Sequence, residues 1–553
     1  MDAVVEHQRR RARCRALESA LAIAPAAGAA PALCVRVCDA AACEAAAAAA
    51  QDGAAPSPAV DYYVVVGAAV PGVPGAAAIV DRYPRHDRPG APLAPLVRAL
   101  CFPNGVAVRT AAGPRAPRFF VFVLTEADGA RTYGAVAVVD EPLPLQAGVS
   151  SSSSATATTA TEQTQEEGKE EEKPETTATG TTTTSERQYE EKALCLVSRF
   201  PFFGALRACL AQLWRIVAAH PAPSCVPYAA AVRALVDRVP APLPGGLPVR
   251  VRLFPNSSEE ETAPIVLQRA LPTRLAAPGC AVRPLLDTVG AHVAVQLLAA
   301  LLLERRVLFL ARDAARLAAA QEALRALLHP FAWPHVYVPV VGTVLADFLH
   351  APTPFLMGVV RSPALRLPPL PDVVTCDLDT GATAFPTPVP VPAPLHALAA
   401  AWLRVLHPHL ATSTPTTLEP VPPPEPVSVP RPSADPFTPD AVDTALRLCA
   451  LETFVRIFHD YRRHIFYYRK YPCPVVWFAR AEFVASLGPD RAQELEPFLS
   501  AFFDTQAFNL FYEAAALQRP NLFDRACFLF NTHGGLFSLF PLTPFMHLSR
   551  AFT

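Results

Sequence analysis

Residues 307–310 (Val-Leu-Phe-Leu) form an apolar run of strand length, and Leu317, Ala320, Leu324 and Leu327 behind them recur at the spacing of one helix face. Asp313 is placed to cap that helix, and Pro330 stops it. Residues 336–341 (Val-Tyr-Val-Pro-Val-Val) then read as a second strand. A strand, a helix of about four turns and a strand predict a right-handed βαβ unit, hence a parallel sheet covered by helices. Upstream, β-rich runs at 119–125 and 132–139 flank Asp128-Gly129, a hairpin signal. Downstream, Val442, Leu446, Leu448, Leu451, Phe454, Val455 and Phe458 predict a helix with one broad apolar face, and residues 395–406 a shorter one.

Between these segments the pattern lapses. Residues 1–57 are Ala-rich without clear periodicity and are expected to form a flexible leader. Residues 150–185 are mostly Ser, Thr, Glu and Gln and have too little apolar surface to offset chain entropy. The insert 146–191 is therefore expected to be a disordered acidic tether. Proline is dense at 386–394 and again at 415–439, which predicts an extended linker within 373–440. The expected organisation is a strand-rich unit at 58–145, an α/β unit at 192–372, a helical unit at 441–518 and an unassigned tail at 519–553. The apolar run 293–303 ends at Glu304-Arg305-Arg306, short of the roughly 20 residues a bilayer requires, so no membrane span is expected.

With 51% hydrophobic residues the chain can bury roughly two or three cores of ordinary domain size. A net charge of −1 excludes the strongly basic balance of a nucleic-acid binder. Thirteen cysteines without a disulfide-framework spacing fit a reducing cytosol. Cys34, Cys38 and Cys43 lack the spacing and the fourth ligand of a zinc site. The motifs G-x-S-x-G, G-x-x-x-x-G-K-[ST], H-E-x-x-H, C-x-x-C and G-x-G-x-x-G are all absent. The expectation is a binding protein without covalent catalysis, cofactor or metal.

The run Leu302-Leu303-Glu304-Arg305-Arg306-Val307-Leu308-Phe309-Leu310, then His329-Pro330-Phe331-Ala332-Trp333-Pro334, then Asp347-Phe348-Leu349-His350-Ala351-Pro352-Thr353-Pro354-Phe355-Leu356-Met357-Gly358, resembles the central part of the DENN domain. Asp61-Tyr62-Tyr63-Val64-Val65, Asp81-Arg82-Tyr83-Pro84 and Cys101-Phe102-Pro103-Asn104-Gly105 resemble its upstream module. Lys192-Ala193-Leu194-Cys195 and the residues after it look like the opening of the central module. Phe458-His459-Asp460-Tyr461-Arg462 and the segment 501–508 resemble, more weakly, the helical downstream module. The resemblance implies α/β and α+β architecture: a longin-like upstream lobe, a central α/β lobe with a parallel sheet, and a small helical downstream lobe. It further implies a guanine-nucleotide exchange factor for a Rab-type small GTPase in membrane traffic, cytoplasmic and recruited peripherally to membranes. The alternative within the family is a non-catalytic scaffold that binds a GTPase or other DENN-like subunits.

By the same resemblance the upstream and central lobes grip the GTPase between them. The contact candidates are the loop Phe102, Pro103, Asn104, the hairpin turn Asp128, Gly129, and the segment containing Asp347, His350, Pro352, Thr353, Pro354, Phe355 and Gly358. Aromatic and proline-rich loops hold rigid contact shapes at low entropic cost. For Phe102, Trp333, Phe355 and Met357, core packing is favoured over contact, because large apolar side chains are usually buried. Arg305 and Arg306 are expected to serve the helix dipole or an internal ion pair. Some relatives carry Leu-Pro where this chain has Val341-Gly342, and the glycine is expected to loosen the strand end. Arg462, Arg463, Arg469 and Lys470, interleaved with tyrosines, are candidates for contact with an anionic membrane, against the plainer reading of a solvated helix face.

Overall fold

The computed structural model describes residues 57–126, 129–143, 187–219, 226–253, 264–271, 273–275, 279–363, 365–407, 437, 439–470, 475–517 and 520–533. The expected leader, most of the acidic insert, Asp128, the cysteines at 34, 38 and 43, and most of the second proline-rich stretch lie outside these residues.

Six strands build the first sheet: β1 (Tyr62–Ala68), β2 (Ala77–Tyr83), β3 (Val108–Ala111), β4 (Arg118–Thr125), β5 (Arg131–Pro142) and β6 (Arg187–Ser198). Its order is β2-β1-β6-β5-β4, with β3 also paired to β6, and every pairing is antiparallel. The short helix α1 (Val97–Cys101) lies between β2 and β3. The expected hairpin is present as β4–β5, in register from Arg118↔Val138 to Thr125↔Arg131. Lys192 and the residues after it, which resemble the opening of the central module, form the middle strand of this sheet. Tyr189, Ala193–Val197 and their β1 and β5 partners are apolar on both faces, as a central strand requires. Helices α2 (Phe203–Ala219) and α3 (Val226–Arg238) cover the sheet, with Phe203 edge-on to Tyr133 at 5.7 Å and Tyr228 bonded to Tyr63. The short pair β7 (Val249–Val251) and β8 (Ile265–Leu267) follows.

Helices α4 (Arg283–Val289) and α5 (Ala291–Leu302) then lead into the second sheet. There β9 (Val307–Ala311), α6 (Ala314–Leu327) and β10 (Val336–Val341) form the expected strand–helix–strand unit, with the Asp313 carboxylate accepting from the Ala315 N–H at 2.9 Å. The two strands are parallel but not neighbours, because β11 (Phe355–Val360) lies between them. All six β11 residues are buried, and a strand apolar on both faces belongs in the middle of a parallel sheet. Strand β12 (Val374–Asp377) extends the parallel set beyond β9, and β13 (Thr383–Ala384) closes it antiparallel.

The segment 373–440, expected as a linker, therefore contributes two strands and also α7 (Ala393–Leu406), whose buried Trp402 indole donates to the Leu446 carbonyl at 2.9 Å. Helix α8 (Ala441–Phe458) starts at a reciprocal cap: Asp440 accepts from the Asp443 N–H, and the Asp443 carboxylate accepts from the Asp440 N–H. Asp443 also accepts from the Val282 and Arg283 N–H groups, which joins α8 to α4. Rather than exposing one face, α8 is buried nearly all round, Arg447 and Glu452 included, because α7, α6 and later helices enclose it.

A hairpin of β14 (Ile465–Tyr468) and β15 (Val475–Phe478) precedes α9 (Arg480–Ser486), α10 (Pro489–Phe502), α11 (Gln506–Leu517) and α12 (Leu522–His533). The tail that sequence left unassigned thus begins with a packed helix. Phe523 lies 5.8 Å from Tyr461, and the buried Asp524 carboxylate accepts from Tyr461 and Arg462. Phe331 joins the central lobe to these helices, meeting Phe454, Phe458, Phe502 and Phe511 at ring separations of 4.9 to 5.6 Å. Among the described residues no single helix is long and apolar enough to cross a membrane. The pair α4–α5 passes on length and composition only when joined across a 108° bend.

Candidate functional site

Strand β10 carries the seam between the two sheets. β4, the edge strand of the upstream sheet, packs on α6 and β10. At the start of β10 the Thr125 hydroxyl donates to the Tyr337 carbonyl at 3.2 Å, and Arg131 donates to the Trp333 carbonyl at 2.6 Å. At its end the Thr343 N–H donates to the Pro103 carbonyl at 3.0 Å, and the Asn104 amide donates to the Val360 carbonyl at 3.3 Å. One continuous apolar core runs beneath both ends.

Charge is buried at the first end. The Tyr337 hydroxyl and Arg325 both donate to Glu322, at 2.8 and 2.7 Å, and the Arg325 guanidinium lies 4.5 Å from the Tyr337 ring. Burial and the Glu322 carboxylate push the Tyr337 hydroxyl well above its usual range. Burial, with the neighbouring Arg325 charge, lowers Arg131. For Arg325 burial also acts downward, but the Glu322 and Tyr337 oxygens outweigh it and the guanidinium is raised. Arg131, from the upstream hairpin, thus enters a charged cluster built by the central lobe.

The other end is open. The 3₁₀ helix Thr343–His350 buries Leu345 and Leu349 and exposes Val344 (65%) and Phe348 (42%), with Asp347, His350, Pro352 and Thr353 exposed around them. Beside it lies the loop 102–105, tied in turn to the β1–β2 loop by the hydrogen bonds that Gly75 and Val106 exchange. Gly342 makes this approach possible, since a Cβ there would lie 1.8 Å from the Pro103 carbonyl oxygen. The glycine expected to loosen the strand end instead lets the two backbones touch.

The candidate residues divide accordingly. Asn104, Asp347, His350, Pro352 and Thr353 are exposed at one end of the seam, with Pro103 and Pro354 half-buried beside them. Phe102, Phe355 and Gly358 are buried and cannot touch a partner in this conformation, which corrects their place among the contacts. Phe102 follows α1 into the core, and Phe355 begins the central strand β11. Gly358 admits the buried Gln321 amide and the Pro339 carbonyl, to which that amide donates at 3.0 Å. Trp333 and Met357 are buried as favoured. Gly129, with φ of +83°, turns the β4–β5 hairpin at the opposite end of β10, about 17 Å away by strand rise.

Val344 was not singled out from the sequence, and Phe348 lay inside the segment 347–358 without being named as a contact. Residues 344, 345, 348 and 349 are apolar in adjacent pairs, a spacing that also suits one buried helix face, so the exposure of Val344 and Phe348 is decided by the packing.

Elsewhere Arg306 pairs with Asp372 at 3.5 Å while Arg305 is exposed. Arg82 pairs with Asp87 and Arg88 with Asp237. Arg462 holds the buried Asp524, which sets it apart from the other cations of that cluster. Arg463, Arg469 and Lys470 are exposed.

An antiparallel strand-rich lobe docked along a largely parallel α/β sheet defines a mixed α/β and α+β protein whose two sheets meet at a shared seam. Residues 77–139 match the uDENN domain and residues 189–381 the DENN (AEX-3) domain. The chain is a DENN-domain protein. It is 28% identical over 266 residues to the mouse (Mus musculus) DENN domain-containing protein 3, an overlap of 47% of this chain and 18% of that protein's length.

Proposed function

We propose that this chain is a guanine-nucleotide exchange factor that promotes GDP release from a Rab-type small GTPase in membrane traffic. The DENN family is generally linked to Rab exchange activity, which supports the reading. The observation that supports it is the open end of the seam: Val344, Asp347, Phe348 and His350 stand exposed beside the loop 102–105, within reach of a single partner that would touch both lobes. Exchange needs no covalent chemistry from the factor. A surface that binds the nucleotide-free GTPase more tightly than the loaded one lowers nucleotide affinity by the same coupling. Nucleotide held at about 1 pM corresponds to about 16 kcal/mol, and about 5 kcal/mol of coupling expressed in the release barrier speeds departure roughly thousands-fold. In this reading the protein acts in the cytoplasm and is recruited peripherally to membranes.

The test is release of fluorescent GDP from a panel of purified Rab proteins by the full chain. Catalysed release from one or two members is expected. The double variant Asp347→Ala/Phe348→Ala should slow it roughly 10- to 100-fold, as loss of a central contact does, with an unchanged unfolding midpoint. Binding without acceleration would replace exchange by the scaffold reading.

A further inference from the structure

We infer that one face of the β14–β15 hairpin is an insertion surface for an anionic lipid membrane. The inference rests on the membrane-recruitment part of the reading above, not on exchange.

The register pairs Phe466 with Trp477 and Tyr468 with Val475, and directly opposed residues of antiparallel strands share a face. These four side chains therefore form one apolar ladder, with the Phe466 and Trp477 rings 5.4 Å apart. The other face carries Ile465 and Phe478 at its inner end and Tyr467 and Val476 toward the turn, with Tyr467 also exposed. Phe478 is buried, stacked at 5.8 Å on Tyr512 and 5.0 Å from Phe508, so α11 anchors the hairpin from behind. A lone two-stranded hairpin is marginal in water, and this one is held by the anchored face alone. The ladder is left open: Tyr468 is 59%, Trp477 51% and Val475 46% exposed. Single exposed apolar residues are ordinary, but a cross-strand group of them is not.

Charge identifies the occupant. From 461 to 481 the sequence contains no carboxylate, and it carries Arg462, Arg463, Arg469, Lys470 and Arg480. Arg462 and Arg480 are taken by Asp524 and Asp504. Arg469 and Lys470, at the end of β14, are exposed and have no ion-pair partner among the described residues, and Arg463 holds only the peripheral Asp460 at 3.3 Å. Trp and Tyr settle at the headgroup level of a bilayer, and adjacent cations are drawn to anionic lipid. A second copy on the same face would bring these cations toward their own symmetry mates, which disfavours self-association.

The experiment is flotation of the full chain with vesicles of phosphatidylcholine alone and of phosphatidylcholine with about 30% phosphatidylserine. Binding is expected to the second and not the first, falling as salt rises. Arg469→Ala/Lys470→Ala should weaken it roughly 30-fold. Tyr468→Ser/Trp477→Ser should abolish flotation while leaving the far-ultraviolet spectrum and solution GDP release intact. With bound vesicles, wild-type tryptophan emission should shift to the blue, and Trp477→Phe should remove the shift without removing binding. Flotation indifferent to both pairs of substitutions overturns the inference. So does absence of binding to anionic vesicles, or a lipid-free dimer that the Tyr468→Ser/Trp477→Ser variant dissolves. Because GDP release is read without lipid, failure here and failure of the exchange reading are separable.

Discussion

Gly342→Ala is the sharpest test of how the two lobes are joined. The glycine has φ of −119°, open to any residue, so the substitution adds bulk without backbone strain. The added Cβ would meet the Pro103 carbonyl oxygen at 1.8 Å, its carbon at 2.1 Å and the Pro103 Cα at 2.5 Å, whereas ordinary contact begins at 3.4 Å. All three atoms are backbone and none can swing aside. The loop 102–105 must withdraw by about 1.6 Å to restore normal contact. That movement breaks the Thr343 N–H to Pro103 bond and disturbs the Asn104 to Val360 bond. Overpacking costs about 1–3 kcal/mol and the loss of a solvent-accessible hydrogen bond about 0.5–1.5 kcal/mol, a sum of about 2–4 kcal/mol. Urea unfolding of the full chain, followed by tryptophan fluorescence, measures the loss, and fluorescent GDP release from a responsive Rab protein measures the consequence. Gly113→Ala is the control. A Cβ there meets nothing within 4 Å, so its stability should stay within about 0.5 kcal/mol of wild type. If Gly342→Ala matches that control in both stability and exchange, the seam does not hold the lobes as described.

Two further outcomes follow from the packing and the charges. Phe331→Ala removes the ring at the centre of four others and should cost about 3–5 kcal/mol in the same unfolding assay, with Phe331→Leu distinctly milder. Burial pushes the Asp140 carboxyl upward, but hydrogen bonds from the Arg115 backbone and side chain and from Arg109 outweigh it and hold the pKa at about 2. A folded pKa depressed below the unfolded value near 3.9 contributes about 2 kcal/mol, present above the unfolded pKa and lost as pH falls through the folded one. The stability gap between wild type and Asp140→Asn should therefore shrink between about pH 5 and pH 2, and a constant gap would contradict this account.

Much of the architecture could be read along the chain. The β4–β5 hairpin, the β9–α6 step with its Asp313 cap, and the helix at 393–406 each follow from local period and punctuation. The candidate site was only half legible. The family resemblance pointed to the stretch 347–358, but its residues alternate between core and surface for reasons lying in other segments: Phe355 is buried because β11 becomes a central strand, and Gly358 because Gln321 reaches across to Pro339. Arg462 looked like one of four equivalent cations until Asp524, 62 residues later, took it.

The amino-acid order alone thus determined the local elements, because strand alternation, helix spacing, caps and turn residues act over a few neighbours, while the kind of protein came from the resemblance of its motifs to the DENN family. Tertiary structure decided which strand became the middle of which sheet, which aromatic side chains stayed in water, and where two backbones touch at Gly342. Those outcomes depend on contacts between residues hundreds of positions apart, and burial is a property of the assembled fold rather than of any residue within it.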